Sequence, residues 1–299
     1  MKNKYVFLGD IDSINLELIF RSFNKIKNKV KYLVIGNIYE AYQYSRRVKK
    51  VIKIKEVFDP LNFKELDSNF INFYHIAPFK NKIDNMLTQI NFCNLLCNLT
   101  NFDLITLPIK KSTFKEKIFF NGMTEYLGEI NNKNTFMLMR GEKFSIIPIT
   151  THINLNDVGR EFKNKLRSFI MNLKKMNLKT GLFKNYKNLI FLCFNPHCGE
   201  NGTIGQEDLI LKKSIRPFNF INKYIMPADS AFKKIPTNSI YISFYHDQAL
   251  IPFKILNKKS FNQTLGLNYR RLSPSHGTAV DIKFQNLADN TSYIQCMID

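Results

Sequence analysis

The chain has 299 residues, 44% of them hydrophobic, which is enough for a sizeable buried core and for two units of ordinary domain size. Its 44 lysines and arginines against 24 acidic residues leave a formal charge of +20, but the lysines are spread along the whole chain among Asn, Ile and Phe, all encoded by A/T-rich codons; this favours a solvated basic surface over a nucleic-acid footprint. No apolar run can span a bilayer, the apolar stretch Val6–Leu8 is too short for a secretory signal, and five cysteines without a framework spacing predict reduced thiols in a cytoplasmic protein with neither a membrane nor a nucleic-acid partner.

In chain order, short apolar runs predict strands at Tyr5–Leu8, Lys31–Ile35, Asn72–Ile76, Asp103–Leu107, Thr135–Met139, Phe144–Ile149, Asn188–Phe194 and Ser239–Phe244. Amphipathic stretches predict helices at Ser13–Lys27, Lys82–Leu99, Asn156–Met176 and Gln206–Ile215. In the second of these, Cys93 and Cys97 fall on the apolar stripe with Ile83, Met86 and Ile90 and are read as small buried hydrophobes. Gly181 is a plausible stop after the third. The alternation implies an α/β fold with a largely parallel sheet. The turn after the first strand, Gly9-Asp-Ile-Asp-Ser-Ile-Asn15, carries no dinucleotide fingerprint, and there is no phosphate-loop motif elsewhere.

Of five histidines, His75 lies inside a strand and is read as structural. His152, His197 and His246 each follow the end of a predicted strand. Taken singly, each would be an ordinary hydrogen-bonded loop residue. In a parallel sheet, however, three such points share the carboxyl edge where α/β enzymes place ligands, and three imidazoles there suit a divalent metal. Gly199, Gly202 and Gly205 recur every third residue after Asn195-Pro-His197, either to let backbone N–H groups approach an anion or to supply positive φ for a tight turn. Arg271 could pair with a phosphate or carboxylate, although a lone arginine is more often on the surface.

Five segments in order, Asn195–Gly202, Pro227-Ala-Asp-Ser230, Tyr245-His-Asp-Gln248, Thr264-Leu-Gly-Leu267 and Ser275-His-Gly-Thr278, resemble the 4-hydroxythreonine-4-phosphate dehydrogenase family of pyridoxal phosphate biosynthesis. The resemblance extends more weakly over Asp103–Val158 and is faint over the first hundred residues. It implies an isocitrate- or isopropylmalate-dehydrogenase-like α/β/α fold with two lobes and a cleft: residues 1–125 plus 262–299 on the nucleotide side, 126–261 for metal, substrate and dimerisation. It implies a homodimer whose active site draws on both subunits, a divalent metal (Zn, Mg or Co) on His152, His197 and His246, and NAD or NADP. The substrate it implies is a small phosphorylated amino acid, 4-phosphooxy-L-threonine, oxidised at C3 and then decarboxylated to 3-amino-2-oxopropyl phosphate. Met123, Thr124, Lys254, Asn262 and Arg271 fall on substrate positions. Asp247 and Lys254 are candidates for the catalytic base, and Asp229 for orienting a metal ligand, beside the loop glycines Gly199 and Gly202.

The chain departs from the family pattern in several places. The N-terminal loop has lost two glycines and a proline, Leu107 replaces a glycine, Ala249 another, and Ser275 an aspartate. Met123 stands where the family has a histidine, which predicts weaker contact with a polar substrate. The last helix, near Ile294–Asp299, looks cut short. Two alternatives are a paralogue acting on another four-carbon phosphorylated hydroxy acid, and a degenerate, non-catalytic basic binding protein.

Overall fold

A computed structural model describes residues 3–79, 81–110, 122–180, 182–216 and 218–299. They form two compact units, Met1–Asn131 with Phe261–Asp299, and Asn132–Ser260.

The first unit contains β1 (Asn3–Phe7), α1 (Asn15–Ile26), β2 (Lys31–Gly36), α2 (Ile38–Arg47), β3 (Ile54–Glu56), β4 (Ile71–His75), α3 (Lys82–Thr100), β5 (Asp103–Thr106) and α4 (Met123–Ile130). After the excursion into the second unit come β11 (Ser260–Leu265), β12 (Arg271–Pro274) and α8 (Thr291–Ile298). The strand order is β3-β4-β2-β1-β5-β12-β11, parallel throughout except for the β11–β12 pair. Side chains alternate across this sheet, as the two-residue period of a strand requires. Val6, Val34 and Ile105 pack with α1, α2 and α8 on one face, whereas Tyr5, Phe7, Leu33, Ile35 and Leu104 pack with α3 and α4 on the other. Both faces are therefore covered, which is why β2 reads as an unbroken apolar run from Tyr32 to Ile35. Cys93 and Cys97 lie in the second cluster, and His75 accepts the Ile38 N–H through Nδ1 (3.3 Å).

The second unit contains β6 (Phe136–Gly141), β7 (Ser145–Pro148), α5 (Val158–Thr180), β8 (Asn188–Leu192), α6 (Glu207–Ser214), β9 (Asn222–Met226), β10 (Ser239–Ser243) and α7 (His246–Leu256). Its strand order is β6-β7-β10-β8-β9, parallel except between β6 and β7. Ile146, Ile190, Leu192 and Tyr241 pack on Ala249, Leu250 and Phe253 of α7. The stripe Val158, Phe162, Leu166, Phe169, Leu173 and Met176 is the buried face of α5. Gly181, expected to stop this helix, lies outside the described residues.

All twelve segments predicted from the sequence occur, with ends displaced by a few residues. The last helix expected near Ile294–Asp299 is α8, whereas helices α2, α4 and α7 and strands β3, β9, β11 and β12 were not anticipated. Helix α2 is short and begins where the Asn37 side chain accepts the Tyr39 N–H, a cap the sequence alone could equally offer to a turn.

Candidate active site

In the second unit, β7, β10 and β8 are adjacent and parallel, so their carboxyl ends meet at one edge. His152, His197 and His246 follow these three strands. The loops that carry them are tied together by buried and half-buried polar groups. The Thr150 hydroxyl donates to the Phe244 carbonyl (2.5 Å). Gln248 accepts the Phe244 N–H through Oε1 and donates through Nε2 to the Cys193 carbonyl, both at 2.9 Å, so one side chain joins the ends of β10 and β8. Asp208, in the first turn of α6, accepts the backbone N–H groups of Phe194 (2.7 Å) and Asn195 (3.0 Å) and fixes the entry to the His197 turn. Sequence reasoning missed Asp208; the available signal was a carboxylate at the start of the helix that follows an Asn-Pro turn.

The rings of His152 and His246 lie 5.7 Å apart, centre to centre. Two imidazoles sharing one ion at metal–nitrogen distances of 2.0–2.1 Å would be separated by about 5 Å, so the pair is near a coordinating arrangement. Nδ1 of His246 meets Asp247 Oδ1 at 2.7 Å, and Nδ1 of His197 meets Glu200 Oε1 at 3.1 Å. A carboxylate on Nδ1 fixes the tautomer that leaves Nε2 free as a ligand. His197 is nonetheless exposed and turned to Glu200, and among the described residues no group of three or more His, Cys, Asp or Glu is close enough to hold an ion. The structure thus pairs two of the three histidines and brings the third to the same sheet edge.

Residues His197 to Gly202 all have positive φ, with Gly199 at +72° and Gly202 at +100°. The glycines answer the need for a tight turn, and a Cβ on Gly199 would also meet the Gly205 carbonyl at 2.9 Å. The approach of an external anion to the N–H groups of Phe194 and Asn195 is pre-empted by Asp208. The same turn carries Cys198 back until its Cα lies 5.0 Å from that of Cys193, and the two form a disulfide. This corrects the expectation of five thiols: two cysteines five residues apart meet because the chain reverses between them. Cys93, Cys97 and Cys296 are buried free thiols.

Asp247 and Asp229 line a cavity of about 580 Å³ together with Tyr245 and Gln248. Asp229 is exposed and makes no described bond to a histidine, and Lys254 is exposed on α7.

In the first unit, Arg271 on β12 is only 6% exposed, which corrects the surface-arginine alternative. Its Nε donates to Thr106 Oγ1 (2.8 Å), as does Nη2; Nη1 donates to Thr264 Oγ1 (3.0 Å) and Thr124 Oγ1 (3.3 Å). Its neighbour Arg270 is neutralised by Asp103 at 2.6 Å, whereas among the described residues no carboxylate bonds to Arg271. Burial pushes the Arg271 guanidinium down to about 10 from its ordinary 12.5. A buried cation held only by hydroxyls is costly unless an anion joins it. Asn262 stands two residues before Thr264 on β11, hence on the same face, and its buried Oδ1 has no partner. Met123 lies in the apolar cluster with Leu104, Leu127 and Tyr269, so of the Gly122–Glu125 segment it is Thr124 that turns a polar group to Arg271.

Comparison with known proteins supplies the family. The family model described as pyridoxal phosphate biosynthetic protein PdxA matches residues 51–298. The chain belongs to this family. A 4-hydroxythreonine-4-phosphate dehydrogenase of Sulfurihydrogenibium sp. is 32% identical, the match covering 98% of this chain and 95% of that one. Its counterpart in Hydrogenobaculum sp. is 37% identical over 64% of this chain and 62% of its own length. The family fold is confirmed by the crystal structure of 4-hydroxythreonine-4-phosphate dehydrogenase from Klebsiella pneumoniae, with a TM-score of 0.81 at 21% identity and full coverage of both chains.

Proposed function

We propose that the chain is the dehydrogenase its relatives are named for: it oxidises the C3 hydroxyl of 4-phosphooxy-L-threonine to 2-amino-3-oxo-4-phosphooxybutanoate, which loses CO₂ to give 3-amino-2-oxopropyl phosphate in the biosynthesis of pyridoxal 5'-phosphate. The observation that carries this reading is Arg271, a buried guanidinium without a carboxylate, held in place by three threonine hydroxyls. Such a group is preorganised for the bidentate binding of a phosphate or carboxylate. Asn262, with its unpartnered oxygen beside Thr264, is suited to accept from the substrate's ammonium or hydroxyl.

His152 and His246 are the residues that would hold a divalent cation through Nε2, with His197 as a third ligand once its ring leaves Glu200. When bound, the cation supplies a Lewis acid for the C3 oxygen, and NAD or NADP supplies the hydride acceptor. Asp247 positions the His246 ring through its 2.7 Å bond to Nδ1, which leaves Lys254 as the candidate to take the C3 hydroxyl proton. Gln248 and Asp208 hold the two loops still during these events. The turn after β1 offers no glycine cradle for a pyrophosphate, so the dinucleotide is not assigned to that turn.

The chain acts as a homodimer in this reading. Ile251 and Ile255 of α7 are exposed at 58% and 74%, beside Phe232, and form an apolar face suited to burial against a second copy. Release of NADH or NADPH from 4-phosphooxy-L-threonine, measured over a panel of divalent metals, tests the activity. Clear preference for a four-carbon sugar-acid phosphate would transfer the reading to a paralogous dehydrogenase. Sedimentation showing an active monomer would remove the dimer.

A further inference from the structure

The first unit contains a second cavity, of about 760 Å³, far into the size range of small-ligand sites. Helices α1 and α2, the segment leading to β3 and the stretch around Phe284 enclose it. Six cations line it, Arg21, Lys27, Arg47, Lys49, Lys50 and Lys53, and no aspartate or glutamate does. At the overall ratio of 44 basic to 24 acidic residues, six cations would be accompanied by about three carboxylates, so the cavity is enriched in positive charge even for this chain. Arg21 pairs with Glu17 at 3.4 Å, but among the described residues Lys27, Arg47, Lys49, Lys50 and Lys53 make no ion pair.

The wall behind these charges is aromatic. Tyr44 stacks on Phe284 with ring centres 5.5 Å apart and an interplanar angle of 27°, and Phe20 packs on Tyr44 at 5.2 Å. The Arg47 guanidinium lies 4.3 Å over the Phe284 ring. Lys49, Phe284 and Asn286 on the rim all have positive φ, between 52° and 68°, a conformation costly for residues other than glycine and retained where the surroundings impose it.

We propose that this cavity is a binding site for a small ligand that joins a planar ring to a phosphate, the chemistry of a mononucleotide. The ring lies against the outer face of the Arg47 guanidinium, extending the stack that Phe284 begins, and the phosphate is gathered by the unpaired lysines. The proposal does not rest on the dehydrogenase reading, since none of these residues belongs to the constellations described above. The test is calorimetric titration of the full chain with adenosine monophosphate, adenosine and inorganic phosphate, each in saturating NAD⁺ to fill any cofactor site. Adenosine monophosphate should bind at least about tenfold more tightly than either fragment, and Arg47→Gln or Lys53→Gln should each weaken it about tenfold. Both side chains are exposed, so the variants should keep the wild-type Tm and turnover. No binding of adenosine monophosphate, binding abolished by NAD⁺, or binding unchanged in both variants would overturn the proposal. A single-stranded oligonucleotide that displaces adenosine monophosphate at lower concentration than free mononucleotide would overturn it in favour of a nucleic-acid surface.

Discussion

Replacing Arg271 by Met retains the length of the side chain and removes its charge. The drop of the guanidinium from 12.5 to about 10 corresponds, at 1.36 kcal/mol per pH unit, to about 3 kcal/mol of unfavourable burial. The sign follows from linkage. The folded state binds this proton less tightly than the unfolded chain, so the penalty is fully present below about pH 10 and is relieved only as the pH rises toward 12.5. At neutral pH it is therefore present in full. Against it stand the bonds that the guanidinium makes. Thr124 and Thr264 satisfy each other at 3.1 Å, so the variant orphans chiefly the Thr106 hydroxyl, at a cost of about 1 kcal/mol. The net expectation is that Arg271→Met stabilises the anion-free protein by roughly 2 kcal/mol, a rise in Tm of about 3 °C for a chain of this size. Inorganic phosphate should raise the Tm of the wild type and leave the variant unmoved, because the ligand binds only where the cation is. Differential scanning calorimetry in phosphate-free buffer and in a phosphate series measures both quantities. A fall in Tm together with an undiminished response to phosphate would refute the reasoning, since Arg271 would then be a structural cation and the anion would bind elsewhere.

Asp208→Ala should cost about 3 kcal/mol in urea unfolding, because two half-buried N–H groups, those of Phe194 and Asn195, lose a charged acceptor; unchanged stability would mean that water replaces it. His152→Ala and His246→Ala should each lose bound metal and metal-dependent turnover with an unaltered circular dichroism spectrum, and His197→Ala should do the same if its ring swings from Glu200 to the ion; metal content by atomic emission decides each case. Met123→His should lower stability by about 2 kcal/mol by placing an imidazole among Leu104, Leu127 and Tyr269, whereas a gain in kcat/KM would show that position 123 reaches the substrate.

The buried parallel strands were legible because both faces of the sheet are covered: a strand such as Lys31–Gly36 must then be apolar at nearly every position, and no other arrangement of so short a run explains it. Strands β11 and β12 were not legible for the converse reason. They carry Asn262, Thr264, Arg271 and Ser273, polar residues that make sense in a strand only when the groups they face are known. The three histidines could be placed on one edge from the sequence, because each follows a strand and parallel strands bring such points together. Which of them approach one another could not, since ring separation depends on loop paths held by the long-range bonds of Gln248 and Asp208. The disulfide was hidden in the same way: Cys193 and Cys198 meet only because the residues between them reverse the chain. The sequence by itself determined the fold class, the family and the list of chemically capable residues, since these depend on residue type and order. Only the tertiary structure decided that Arg271 is buried without a counter-charge, because desolvation is a property of what surrounds a side chain and not of the side chain.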